Sequence, residues 1–227
     1  MKFSLKTGML AILLVLPVLV YLFLKNFGTN HFTLPVYYPI DSVLVAATGK
    51  YDVNYHTIPK FKLVNEKGDT LLSDKLKGKI YVTDFFFTSC PGICPKMTTQ
   101  LKRVQESFTE NKDVKIVSIS VDPVHDTPEE LTKYAKLNGA NADQWYFLTG
   151  NKDSIYNLAQ QGFYLSAGEE KGSAEAFVHS DKLVLVDKEG RIRGYYNGTL
   201  QEEVDRLITE INVLIHEYAN NNESQER

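Results

Sequence analysis

The sequence is poor in cysteine and has no surplus of positive charge. Cys90 and Cys94 are the only cysteines among 227 residues, so a structural zinc site with four cysteine ligands is excluded. The formal net charge is −3 and no basic stripe stands out, which argues against a nucleic-acid partner. Internal repeats and low-complexity tracts are also absent. The hydrophobic content of 43% suits one globular domain with appendages.

The longest apolar run, residues 9–24, lies close to the N-terminus. It predicts an uncleaved signal anchor, residues 1–25, because no small-residue cleavage site follows the run; a cleaved signal peptide is the alternative. Lys2 and Lys6 precede the run and Lys25 follows it. This distribution predicts a single-pass protein of the cytoplasmic membrane whose later residues lie outside the cytoplasm. That compartment is oxidising and permits a disulfide.

The rest of the chain divides into a tether, a folded domain and a polar tail. Residues 26–54 lack sustained periodicity and predict an extracytoplasmic tether, and residues 55–219 predict the domain. Residues 220–227 are polar. Strands are predicted near residues 61–65, 70–72, 80–87, 114–121, 145–148, 177–186 and 192–196, and helices near residues 94–108, after Thr127, at 153–161 and after Thr199. This order predicts an α/β fold with a mixed sheet flanked by helices, as in thioredoxin-like domains.

The two cysteines lie where the most apolar internal run passes into a predicted helix. Pro91 and Gly92 stand between them and let the chain leave the strand before the helix begins. Helix N-termini favour a thiolate over a thiol, and a spacing of four residues puts both sulfurs on one face of a helical turn. A Cys90–Cys94 disulfide and the binding of one metal ion are both compatible with this arrangement.

Several segments together are similar to one protein family. Residues 85–95 read Phe-Phe-Phe-Thr-Ser-Cys-Pro-Gly-Ile-Cys-Pro, residues 118–123 read Ser-Ile-Ser-Val-Asp-Pro, and residues 126–128 read Asp-Thr-Pro. A downstream His179-Ser180 pair follows them. In this order the segments resemble the SCO/SenC family of membrane-tethered, thioredoxin-like proteins that act in assembly of the copper site of cytochrome c oxidase. The resemblance extends over roughly residues 55–215.

The resemblance implies a copper-binding metallochaperone. It places the copper ligands on Cys90, Cys94 and His179. Asp122 ends a predicted strand, where an aspartate suits either the support of a metal ligand or a simple turn before Pro123. The implied partners are the copper-site subunit of cytochrome c oxidase, or another cuproprotein, and the membrane through the N-terminal helix. Two thiolates and an imidazole suit copper in either oxidation state, and a Cys90–Cys94 disulfide would exclude the metal.

Two enzymatic alternatives remain open at the level of sequence. The first is an extracytoplasmic thiol–disulfide oxidoreductase, in which Cys90 and Cys94 would be catalytic. The second is a peroxide-reducing enzyme, for which Arg103 is the nearest arginine to the cysteines and lies some turns along the helix. His125 is predicted to be an ordinary residue or a stray ligand, and Met97 a packing residue.

Overall fold

The structure, a computed structural model, describes residues 5–27, 33–45, 50–165 and 180–225. His179 therefore lies outside the described residues. Two compact units divide the chain, residues 1–33 and residues 34–227. The first contains helix α1 (Leu5–Phe27), which includes Pro17. Within the described ranges no helix combines the length and apolar character needed to cross a membrane, so the predicted anchor is not supported.

The second unit contains nine strands and four α-helices among its described residues. The strands are β1 (Pro39–Val45), β2 (Lys50–Tyr55), β3 (Lys62–Asn65), β4 (Thr70–Leu72), β5 (Ile80–Phe86), β6 (Val114–Ser120), β7 (Trp145–Thr149), β8 (Lys182–Val186) and β9 (Ile192–Asn197). The helices are α2 (Ile93–Ser107), α3 (Pro128–Leu137), α4 (Lys152–Asn157) and α5 (Gln201–Gln225). A short 3-10 helix spans Ser73–Leu76, and a short π-helix spans Leu158–Gly162.

Seven strands form one mixed sheet in the order β4-β3-β7-β6-β5-β8-β9. The three central strands, β7, β6 and β5, are parallel, and antiparallel pairs extend the sheet on both sides. Strand β5 is buried at all seven positions because both faces of the sheet are covered. The mixed α/β architecture predicted from sequence is therefore confirmed for the domain.

Alternate residues of β5 feed two hydrophobic cores. Ile80, Val82 and Phe86 pack with α2 and α5 on one face, whereas Tyr81 and Phe85 pack on the other face. Asp84 has the same parity as Val82 and Phe86, so it lies on the α2 face of the strand. The chain leaves the carboxyl end of β5 and enters α2, which packs on this same face.

The observed elements differ from the predicted ones in three places. Strands β1 and β2 form a separate antiparallel hairpin within the segment predicted as a tether. Its side chains are mostly exposed, so burial does not impose a strong alternating pattern on the sequence. Strand β8 begins at Lys182 rather than residue 177, and residues 177–179 lie outside the described ranges. Helix α5 continues to Gln225, into the predicted tail.

Candidate metal and thiol site

A short turn, residues 87–92, joins the end of β5 to the start of α2. Within the turn the Cys90 N–H donates to the Phe87 carbonyl oxygen at 3.2 Å. Gly92 is the N-cap residue of α2 and provides no side chain to cap the helix. The first backbone N–H groups of α2 are therefore free to interact with a negatively charged sulfur.

Cys90 is half-buried, and its thiol has a lowered pKa. Burial acts in the opposite direction, but hydrogen bonds from the Cys94 backbone, the Cys94 thiol, and the backbone of Gly92 and Ile93 outweigh it. These donors stabilise the thiolate more than the thiol. Cys90 thus has more thiolate character than Cys94 and is the more exposed of the two residues.

Cys94 has the opposite character, because its residue is only 2% exposed. Burial raises the pKa of its thiol to about 12, and the negative charges of Cys90 and Asp84 act in the same direction. Both cysteines are free thiols in the structure. The pair therefore consists of an accessible thiol with thiolate character and a buried partner that donates a hydrogen bond to it.

A buried polar network lies beneath Cys94, on the α2 face of the sheet. Asp84 is 2% exposed and accepts a hydrogen bond of 2.5 Å from the Ser118 hydroxyl. The Ser118 oxygen in turn accepts from Trp145 Nε1 at 2.9 Å. Burial raises the pKa of Asp84 to about 7. Sequence reasoning missed this residue, although an aspartate inside the apolar run 80–87 was a visible signal.

The loop after β6 contains the other candidate residues. The Asp122 carboxylate contacts His125 Nδ1 at 2.8 Å, and the His125 side chain is 76% exposed. That Asp122 supports a metal ligand stays a prediction. Asp126, which sequence reasoning did not single out as a site residue, is fully buried and bonds to Thr88, two residues before Cys90.

The remaining sequence predictions have different outcomes. Met97 is 0% exposed and belongs to the core, as expected for a packing residue. Arg103 contacts Gln100 and Asp205 on the outside of α2, so it gives no support to a peroxide-reducing site. Among the described residues no group of three His, Cys, Asp or Glu side chains could hold a metal ion. The assignment of His179 as a ligand stays a prediction.

Comparison with known proteins identifies the family. The sequence model of SCO1/SenC matches residues 49–216, which include the whole main sheet and both cysteines. The chain belongs to the SCO1/SenC family. A SCO1 protein homolog of Bacillus subtilis is 34% identical over 164 residues, which cover 71% of this chain and 84% of that protein.

Solved SCO structures share the fold of the domain. The structure of BsSco, reported with a disulfide switch and as a member of the Sco family of cytochrome c oxidase assembly proteins, has a TM-score of 0.60 and 32% identity. The match covers 69% of this chain and 92% of BsSco. Copper-bound ScoI of Arabidopsis thaliana has a TM-score of 0.57 and 26% identity, covering 70% of this chain and 98% of ScoI.

Proposed function

We propose that this SCO1/SenC protein binds copper through Cys90, Cys94 and His179 and delivers it during assembly of the copper site of cytochrome c oxidase. The observation that carries the proposal is the pair of hydrogen-bonded free thiols at the carboxyl end of β5. The copper-bound state of one similar structure and the oxidase-assembly role of another support the same reading. Copper is the cargo of this protein rather than a catalytic cofactor.

The chemistry of the two sulfurs suits a soft metal ion. Thiolates select Cu(I), and an imidazole would help to accommodate Cu(II). Cys90 is the accessible sulfur and would meet the ion first, whereas Cys94 has to lose a proton from a buried site. An incomplete ligand set of this kind suits a protein that hands the ion to another site.

Redox state would control this binding. Formation of a Cys90–Cys94 disulfide removes two protons and two electrons, which an external oxidant accepts, and leaves no thiolate for the metal. We propose that the reduced protein takes up copper and the oxidised protein does not. The proposal places the domain outside the cytoplasm, as the lysine distribution around the N-terminal run predicts.

Copper stoichiometry of the reduced full-length chain tests the proposal. We expect about one tightly held copper per wild-type chain, little retention in Cys90→Ser or Cys94→Ser, and affinity weakened by about tenfold or more in His179→Ala. His125→Ala is the matched control, because it removes an exposed imidazole that contacts Asp122. Equal losses in the two histidine variants would contradict the assignment of His179.

Thiol–disulfide exchange is the second candidate function. The observation that favours it is the asymmetry of the two thiols, since an accessible thiolate can attack a substrate disulfide and a second thiol can then release the product. The wild-type protein would then retain no copper. Reduction of a partner disulfide would survive His179→Ala and disappear in Cys90→Ser.

A further inference from the structure

The turn that carries Cys90 is hydrogen-bonded to one residue of a loop that is distant in the sequence. β5 ends at Phe86 and α2 begins at Ile93, so the residues between them lie outside both regular elements. The Thr88 N–H donates to the Asp126 carboxylate at 3.0 Å, and the Thr88 hydroxyl donates to the other carboxylate oxygen at 2.5 Å. Both hydrogen-bond donors of Thr88 thus bond to the same carboxylate.

Asp126 also holds the end of the neighbouring strand. The Ser120 hydroxyl, at the last residue of β6, donates to the Asp126 Oδ2 atom at 2.5 Å. Asp126 is 0% exposed, so the three bonds to its carboxylate replace solvent around a fully buried group. Hydrogen bonds to a carboxylate are shorter and stronger than those between neutral groups. The carboxylate therefore joins the carboxyl ends of two adjacent parallel strands.

The backbone of Asp126 is itself held in place. Its N–H donates to the Asp122 carbonyl oxygen at 2.9 Å. The next residue, Thr127, is the N-cap of α3, and its hydroxyl accepts from the Glu130 N–H at 3.4 Å. Because α3 fixes one side of Asp126 and the turn after β6 fixes the other, its carboxylate holds Thr88 at a constant position.

We infer that Asp126 is the positioning residue of the thiol site: through Thr88 it holds the Cys90 sulfur within reach of Cys94. The Asp126 carboxylate bonds to Thr88 and Ser120, so it acts on the sulfurs only through the turn that carries Cys90. Loss of the contact would let the turn move, so that the two thiols meet less often. Disulfide formation would then be weakened. Copper binding would be weakened as well, and this part of the inference rests on the proposed function.

The reduction potential of the Cys90–Cys94 pair tests the inference in copper-free protein. In Asp126→Asn an amide nitrogen replaces one acceptor oxygen, so at least one of the three donors loses its partner. We expect the equilibrium constant for disulfide formation to fall by about tenfold, which raises the potential by about 30 mV. Equilibration of the full chain with thiol–disulfide buffers measures this value.

Asp187→Asn is the matched control. Asp187 is also 0% exposed and accepts several hydrogen bonds, but it lies after β8, beside the amino end of β5. Both variants should unfold at lower temperature than the wild type, whereas only Asp126→Asn should shift the potential. Equal shifts in both variants, or an unchanged potential in folded Asp126→Asn, would overturn the inference.

Substitution of Thr88 keeps the test decisive if Asp126→Asn does not fold. Thr88→Val removes the hydroxyl donor and retains the shape and the N–H, so we expect a shift of about threefold in the same direction. Thr88→Ser retains both donors and should restore the wild-type value. A Thr88→Val protein with the wild-type potential would also overturn the inference. If the wild type binds no copper, the proposed function fails while this disulfide readout remains valid.

Discussion

At the scale of single residues, the two cysteines differ because they meet opposite surroundings. The Cys90 sulfur faces the N-terminal N–H groups of α2, which lower the pKa of its thiol although burial opposes this. Cys94 lies in the first turn of α2, inside the core, where burial raises the pKa of its thiol to about 12. The start of α2 thus gives the Cys90 thiol more thiolate character, whereas burial keeps the Cys94 thiol protonated.

This difference predicts selective alkylation of the reduced protein. At pH 7.5, iodoacetamide should modify Cys90 at least about tenfold faster than Cys94, because the thiolate reacts and Cys94 is buried. Both cysteines fall in the tryptic peptide of residues 80–96, so fragment spectra have to assign the label. Urea-unfolded protein, in which both residues should react at similar rates, is the control. Preferential labelling of Cys94 in the folded state would contradict the assignment.

At the scale of elements, β5 combines complete burial with an ionisable residue. Asp84 lies in a strand buried on both faces, and its folded-state pKa of about 7 exceeds the ordinary value of 3.8 because burial disfavours the charge. The folded state therefore binds a proton that the unfolded state releases between pH 4 and 7. Stability from this group is complete below pH 4 and is lost as the pH rises through 7.

Asp84→Asn should remove this pH dependence. The amide oxygen can still accept from Ser118, so at pH 4 the variant should match the wild type in free energy of unfolding. At pH 8 it should be more stable, by up to about 4 kcal/mol for a shift of about three pKa units. Cys94 and Tyr134, the neighbouring titratable groups with a raised pKa, stay neutral in this range. Urea unfolding at both pH values measures the difference, and equal differences at pH 4 and pH 8 would contradict the argument.

Secondary structure was predicted correctly from the sequence mainly where the residues are buried. Strands β5 and β6 were predictable because they are buried and their sequences are rich in β-branched and aromatic residues. The N-cap Thr127 was predictable from local chemistry alone, and the structure confirms it. Hairpin β1–β2 was missed because its strands lie outside the main sheet and are largely exposed.

The candidate site was predictable only in part for a related reason. The cysteine pair can be recognised in the sequence from residue type and position alone. Asp84 and Asp126, the two buried aspartates near the pair, resemble many others in the sequence, and only the tertiary fold decides which are buried. The bond between Thr88 and Asp126 spans 38 residues, a separation that no local pattern indicates.

At the scale of the whole domain, the carboxyl end of β5 carries the candidate site, and the amino end lies beside a buried group of ion pairs. Cys90 and the Thr88–Asp126 contact lie at the carboxyl end, where chemistry collects in parallel sheets. Beside the amino end lies Arg193, whose side chain is only 1% exposed. Its Nη1 atom is 3.1 Å from Asp187 Oδ2, and its Nη2 atom is 2.9 Å from Glu217 Oε2 of α5. The carbonyl oxygens of Leu34 and Pro35 accept from the same guanidinium at 2.7 and 3.0 Å.

Arg193 thus joins the first residues of the domain to its last helix, and its removal should destabilise the whole unit. Arg193→Met leaves the buried Asp187 and the carbonyl groups of Leu34 and Pro35 without this partner, so we expect a loss of about 3–5 kcal/mol in the free energy of unfolding.

Arg206→Met is the control for this prediction, because Arg206 pairs with Glu203 and Glu210 at the surface and its side chain is 45% exposed. Its loss should be about 1 kcal/mol or less. Urea unfolding of both variants measures the contrast. Equal losses would mean that the contacts of Arg193 contribute no more to stability than a surface ion pair does. The N-terminal segment of the domain would then be held by packing instead.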